Sequence, residues 1–263
     1  MNWQRSILKD NAKISLHNCY WVSFAVSLVA TLLSGGIFSI YSSFQHLVKK
    51  LHDFQDGLFL RNEWSGADFS WHHSFGFFPT ISSILALLTL LVAIFIGAAM
   101  MVGASRYYLH KRFGDTHFST LFSGFQQSWG NTVGVLFTTN LFIFLWSLLF
   151  IVPGIVKRYQ YYYVDFLLAD NPSLTGKRAR EISWMLSDGE KGRLFLFDLS
   201  FFWWYILVGL TSLITLGLSV SFLMPYVESA RAELYIYVRD RAIQMNQLNP
   251  AELCLQPANS QPQ

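Results

Sequence analysis

Charge is what this sequence has least of. Only 13% of its 263 residues are Asp, Glu, Lys or Arg, where a soluble domain carries roughly 25%. That deficit, with 52% hydrophobic residues, argues against an ordinary soluble globule and for a membrane protein. Cysteine is almost absent too. Cys19 and Cys254 stand far apart, with neither metal-type spacing nor a disulfide framework. The net charge of +3 is too small for a nucleic-acid footprint, so no nucleic-acid partner is expected. Catalytic signatures are missing as well: no G-x-S-x-G, H-E-x-x-H or Walker A pattern occurs. No catalytic residue, metal ligand or cofactor is therefore assigned. His46, His52, His72 and His73, with Asp68 nearby, form no tight motif and read as ordinary surface histidines.

What the sequence does have is long uncharged runs. Residues 19–40, 80–102, 131–156 and 199–227 contain no Asp, Glu, Lys or Arg. A bilayer core takes about 20 apolar residues in a helix, so these predict four membrane helices. The first is too long for a signal-peptide core and lacks an A-x-A-like site; it reads as a retained helix.

Basic residues favour the cytoplasmic side. They cluster at Arg5, Lys9 and Lys13; at Arg106, Lys111 and Arg112; from Lys177 to Arg193; and at Arg239 and Arg241. Both termini are expected inside, and the loop 41–79, with more acidic than basic residues, outside. Its Trp64, Trp71, Phe75, Phe77 and Phe78 suit the membrane surface.

If residues 103–130 and 170–193 are both inside, the chain between them crosses an even number of times. The run from Asn131 then needs a return. "IVPGIVKRYQYYYVDFLLADNP" is the candidate, with Pro153-Gly154 as the outer turn. A similar return, "MPYVESARAELYIYV", starts at Pro225. Both are Tyr-rich and short, and their likeness suggests repeated hairpins. The expectation is an all-α, multi-pass transmembrane bundle of about six helices in one membrane domain, 1–241, with a disordered polar tail, 242–263. The alternative has four or five crossings, with the Tyr-rich stretches in the interface.

Positions three and four apart share a helix face. Arg158, Tyr161, Tyr162 and Asp165, with Lys157 at the edge, form one stripe; Glu228, Arg231 and Tyr235 form another. Ionisable groups at membrane depth face the bundle interior and pair. A pair between Lys157 or Arg158 and Glu228 is expected, with Asp165 and Arg231 approaching deeper in. Such a seam serves either as a polar path or as a lock between two short helices, and the lock is the simpler reading.

Smaller signals complete the pattern. Ala99 and Gly103 are a small-residue pair that permits close packing, and Gly35-Gly36 has a similar potential. A helix within residues 2–13 is expected on the inner surface, with Trp3, Ile7 and Ile14 on one side. "STLFSGF" looks interfacial. A helix capped by Asn171, with Pro172 in its first turn, is expected to end near Asp188-Gly189. Its Lys177, Arg178 and Arg180 suit anionic lipid headgroups or, equally, a plain solvated face.

"RSILKDNAK", "LFSGF", "LWSLLFIVPGIVKRYQY", "LLADNP", "DLSFFWW" and "MPYVESARAELY" occur in this order. Together they resemble the bacterial integral membrane family called domain of unknown function 975. The resemblance implies a multi-pass protein of the bacterial cytoplasmic membrane and brings no activity or catalytic residue with it. The Pro-Gly helix break is also similar, more loosely, to membrane domains attached to some glycerophosphodiester phosphodiesterases. The expected function is a non-enzymatic membrane role, such as a helper, envelope-stress or immunity component. It would act through the bilayer or through protein partners that the sequence does not identify. The alternatives are a small transporter or permease subunit using the buried charges, and a membrane-embedded enzyme.

Overall fold

A computed structural model describes residues 3–17, 19–33, 78–115, 117–126, 128–215 and 218–255. The loop histidines, its other aromatics up to Phe77, and Gly35-Gly36 lie outside the described residues. Among those described there are ten α-helices of seven residues or more and no strand. They are α1 (Arg5–His17), α2 (Tyr20–Thr31), α3 (Phe78–Lys111), α4 (Trp129–Leu149), α5 (Ile151–Gln160), α6 (Val164–Asp170), α7 (Gly176–Ser187), α8 (Lys191–Leu199), α9 (Phe202–Thr215) and α10 (Ser219–Gln244). Among the described residues the fold is all-helical, as the long uncharged runs implied.

By length and composition α4 could cross a membrane, and the bent pairs α1/α2 and α8/α9 would each count as one further span. The expected six spans go beyond that. The helix α3 is 34 residues long, and its sequence is uncharged from Phe78 to Ser105.

On α1, Leu8, Ala12 and Leu16 recur at four-residue spacing and are buried, the pattern of one helix face. This face packs on α10. Trp3 joins it, edge-on to Phe197 at 5.9 Å. Ile7 and Ile14 point outward, so Trp3 does not share their face as expected.

Ala99 and Gly103 do permit close packing, but the partner is the "STLFSGF" region rather than a second long helix. Residues 118–126 fold as a 3-10 turn and one α-turn across α3. A Cβ on Gly103 would come within 1.8 Å of Leu121 O, and one on Gly124 within 2.1 Å of Ala99 O.

Both expected turns need correcting. The reversal between α4 and α5 falls at Phe150, in extended backbone (φ −155°, ψ 145°). Pro153 lies in the first turn of α5, where its missing N–H costs nothing. Gly154 has a packing role, because a Cβ there would meet Ser147 Oγ at 2.1 Å. The second return does not start at Pro225, which lies inside α10. There Ser229 Oγ, one turn on, donates to Pro225 O.

The first return limb is not one helix. It breaks at residues 161–163 between α5 and α6. The exposed backbone groups are taken up by α7: Ser183 Oγ and Ser187 Oγ both donate to Gln160 O, and Ser183 Oγ accepts from Tyr163 N. α7 itself starts later than expected. Thr175 caps it, accepting from Arg178 N. Asn171 instead accepts from Ser173 N and donates to Glu252 O. The helix ends at Ser187, just before Gly189 at φ +72°.

The tail is a further correction. Polarity predicted disorder from residue 242, yet α10 runs to Gln244 and a 3-10 turn follows at Pro250–Leu253. Leu248 and Leu253 are buried, and Glu252 accepts from Arg178 Nη2 at 3.0 Å. Two leucines spaced five apart, the Glu252 carboxylate and the Glu252 carbonyl bound by Asn171 dock an otherwise polar segment. Residues 256–263 lie outside the described residues.

Candidate functional site: a charged seam beside a cavity

The seam is built from the break in the return limb and from α10. Asp165 opens α6 and is buried. Its Oδ2 accepts from Arg231 Nη2 at 3.3 Å and from Ser105 Oγ on α3 at 3.4 Å. Arg231 Nη1 donates to both oxygens of Glu228, one turn back on α10, at 3.0 and 3.1 Å. The guanidinium lies over the rings of Tyr162 and Phe166, 4.9 and 5.3 Å from their centroids. One arginine thus bridges two carboxylates and stacks on two aromatics, which suits its planar fork. Its buried Nε has no hydrogen-bond partner.

The structure therefore brings together Asp165, Glu228, Arg231 and Tyr162. It does not pair Lys157 or Arg158 with Glu228. Lys157 Nζ sits 5.3 Å over the Trp146 ring and 5.8 Å over Tyr161, and Arg158 is exposed. Equal counting from the two prolines set the expected pairing, and it fails because Pro225 is not at a turn. Arg231, three residues on, reaches Glu228 along its own helix. Tyr235 belongs to a second cluster. Its hydroxyl donates to Asp170 at 2.6 Å, and Arg239 Nη1 donates to the same oxygen at 3.0 Å.

Several participants were not singled out from sequence. Asp170, Arg239, Asp198, Ser105, Lys111 and Glu233 are among them. Tyr159 and Tyr162 hydroxyls donate to Asp198 at 3.1 and 2.8 Å. Lys111 donates to Ser229 Oγ at 2.7 Å, Arg112 pairs with Glu233, and Arg106 Nε donates to Ala169 O at 2.7 Å. These bases looked like a loop that marks the inner face. Three of them instead fasten the end of α3 to α6 and α10. The spacing of Arg231 and Arg239 by eight, on one face of α10, was the available signal.

A cavity of about 530 Å³ opens beside the seam, between α2, α3, α4, α6 and α10. Asp165, Glu228 and Arg231 form its polar end. Its walls include Ser27, Met101, Tyr108, Asn140, Phe144 and Met224. Ser27 Oγ and Tyr108 OH are 2.6 Å apart. The arrangement offers ionic and hydrogen-bonding groups at one end and apolar walls elsewhere, the general character of a small-ligand site. Ser105 Oγ, which donates to Asp165, also lines it, and no metal-holding group of His, Cys, Asp and Glu occurs among the described residues.

Residues 151–242 match the family model described as Protein of unknown function (DUF975). The resemblance read from the sequence is thereby shown over the segment that holds both return limbs and the seam. No curated protein and no solved structure matches the chain.

Proposed function

We propose that this chain is a multi-pass integral membrane protein without catalytic activity, whose seam of buried charges locks its short helices together. One observation carries the reading. Large apolar side chains crowd the outer surface in continuous tracts. Phe144, Leu145, Leu148, Leu149, Phe150, Ile151 and Val152 on the α4–α5 hairpin, and residues 202–207 and 210 on α9, are all exposed. A water-soluble monomer rarely exposes contiguous apolar patches beyond a few hundred Å², whereas acyl chains cover such tracts without cost.

In this reading six membrane-embedded elements, α2, α3, α4, α5–α6, α9 and α10, sit in the cytoplasmic membrane of a bacterium. Both termini and the basic α7 face the cytoplasm, where Lys177, 87% exposed, meets anionic headgroups. A helper, stress or immunity role through lipid or protein partners fits this surface. Alkaline carbonate extraction of membranes tests the reading: the protein should stay in the pellet, and release into the supernatant overturns it.

The cavity favours a second reading, a small transporter or permease subunit. Its Asp165–Arg231–Glu228 end would then contact cargo. Neutral isosteres at Asp165 and Glu228 separate the two. Loss of function at full protein level supports transport, and loss of protein level supports the lock.

A further inference from the structure

The α4–α5 hairpin holds a depth gauge. Its two limbs meet at Phe150 and pack tightly at Gly154 and Ser147. Basic groups reach both limbs, the Lys157 ammonium at the level of Trp146, four residues from the tip, and the Arg180 guanidinium between Phe142 and Thr138, eight to twelve residues from it. On α5 the first charged residue is Lys157, whose ammonium sits over Trp146, and exposed Arg158 follows. On α4, Arg180 of α7 lies over the Phe142 ring at 5.2 Å and donates to Thr138 and Thr139. Residues 142 and 158 are each eight from Phe150. At 1.5 Å per residue that is about 12 Å.

α7 fixes this level from the outside. It lies across the base of both limbs. A Cβ on Gly176, at one end, would be 3.3 Å from Val135 on α4, while Ser183 and Ser187, towards the other, hold Gln160 on α5. Its Lys177 side chain is 87% exposed, and Arg178 and Glu181 are each 45% exposed. Such a helix does not lie in hydrocarbon. It belongs among headgroups, where exposed Trp184 is also at home. Beyond it, residues 141–156 carry no charge.

We infer that the α4–α5 hairpin does not cross the membrane but inserts into one leaflet, with the acyl chains of that leaflet covering residues 141–156 and its tip near the bilayer midplane. This rests on the membrane reading proposed above. The hydrocarbon core is about 30 Å thick, so a projection of about 12 Å stops near its middle. Composition alone would let α4 cross; the packing of α7 against its middle is the opposing fact. A hairpin that enters and leaves by one face also keeps residues 103–130 and 170–193 on the same side, as the basic residues require. The backbone at Phe150 needs no water, since Phe150 N donates to Trp146 O and Phe150 O accepts from Gly154 N.

The test uses the full chain with Cys19→Ser and Cys254→Ser, carrying Ile151→Cys or Lys177→Cys, with Phe150→Cys as a second tip position. Intact and inverted membrane vesicles are treated with an impermeant maleimide. Lys177→Cys should label from one face only. The tip cysteines should label from neither face, and fully once detergent is added. A fluorophore attached to the tip in detergent should, after reconstitution, be quenched several-fold more by lipids brominated deep in the acyl chain than near the headgroup. Tip labelling from the face opposite Lys177→Cys means a crossing hairpin and overturns the inference. Tip labelling from the same face overturns it too. Absence of lipid quenching with cross-linking between tip cysteines means that a second copy covers the tip, and equally overturns it. Release of the protein by alkaline carbonate would instead remove the membrane reading itself, so the two failures are distinguishable.

Discussion

Arg231 Nη2 and Asp165 Oδ2 meet at 3.3 Å although 66 residues separate them. That contact ties the return limb to α10, and Glu228 completes it from the other side of the same guanidinium. Breaking a buried pair by removing one partner leaves an uncompensated charge and costs about 3–5 kcal/mol. Arg231→Met should therefore lower the yield of monodisperse protein and its thermal midpoint in detergent. Adding Asp165→Asn and Glu228→Gln to Arg231→Met should restore much of the loss, because apolar or neutral replacements of a whole buried ionic group are often tolerated. If the triple variant is no better than Arg231→Met, the triad is not the lock.

The crossing of residues 118–126 over α3 depends on Gly103. Its missing Cβ is filled by backbone, Leu121 O, which cannot rotate aside as a side chain would. Gly103→Ala should destabilise by at least the 1–3 kcal/mol or so of an overpacked core. Gly192 faces open space at the start of α8. Gly192→Ala should be neutral or stabilising by up to about 1 kcal/mol. Thermal melts of the two variants in one detergent check the contrast, and equal effects would remove the packing argument.

The docked tail should respond to acid. The hydrogen bond from Arg178 holds the Glu252 carboxyl below its ordinary value near 4.5, burial opposes this, and the charge of Arg178 assists. A carboxyl whose folded pKa is depressed stabilises the docked state above its free value, and that contribution is lost as pH falls through the folded value. The pair is partly exposed, so it is worth less than about 1 kcal/mol. Protection of the Leu248 and Leu253 amides, corrected for the intrinsic exchange rate at each pH, should be high at pH 7 and should fall below about pH 4.5. Glu252→Gln should exchange faster at pH 7 and lose that pH dependence.

The sequence showed helical class, because uncharged runs and three-and-four spacing are local signals. Among its candidate residues Tyr162, Asp165, Glu228 and Arg231 come together while Lys157, Arg158 and Tyr235 do not. It misled wherever the answer depended on a neighbour. Prolines suggested turns, yet the α4–α5 reversal lies at Phe150 and Pro225 stays helical, since proline's cost depends on which groups surround it. Arg106, Lys111 and Arg112 counted as loop charge, but their carbonyl, hydroxyl and carboxylate partners stand 63, 118 and 121 residues away. The break at residues 161–163 carries no Gly or Pro to announce it. It exists because Ser183 and Ser187 on α7 supply the hydrogen bonds that a straight helix would have made internally.

The cavity separates the lock from the polar path without touching the ions. Asn140 and Met101 also line it and belong to none of its ion pairs. Replacing Asn140 with Trp fills space that the fold leaves open at about 530 Å³, and it removes no ionic partner. If the seam only locks helices, Asn140→Trp should match the wild type in yield, thermal midpoint and every cellular phenotype of the intact gene. If cargo enters the cavity, the same variant should fold normally and reproduce the deletion phenotype. Met101→Trp, from α3, should act in the same direction, because the two side chains approach one space from different helices. A variant that folds well and works fully at both positions would leave the cavity without a role and favour the lock.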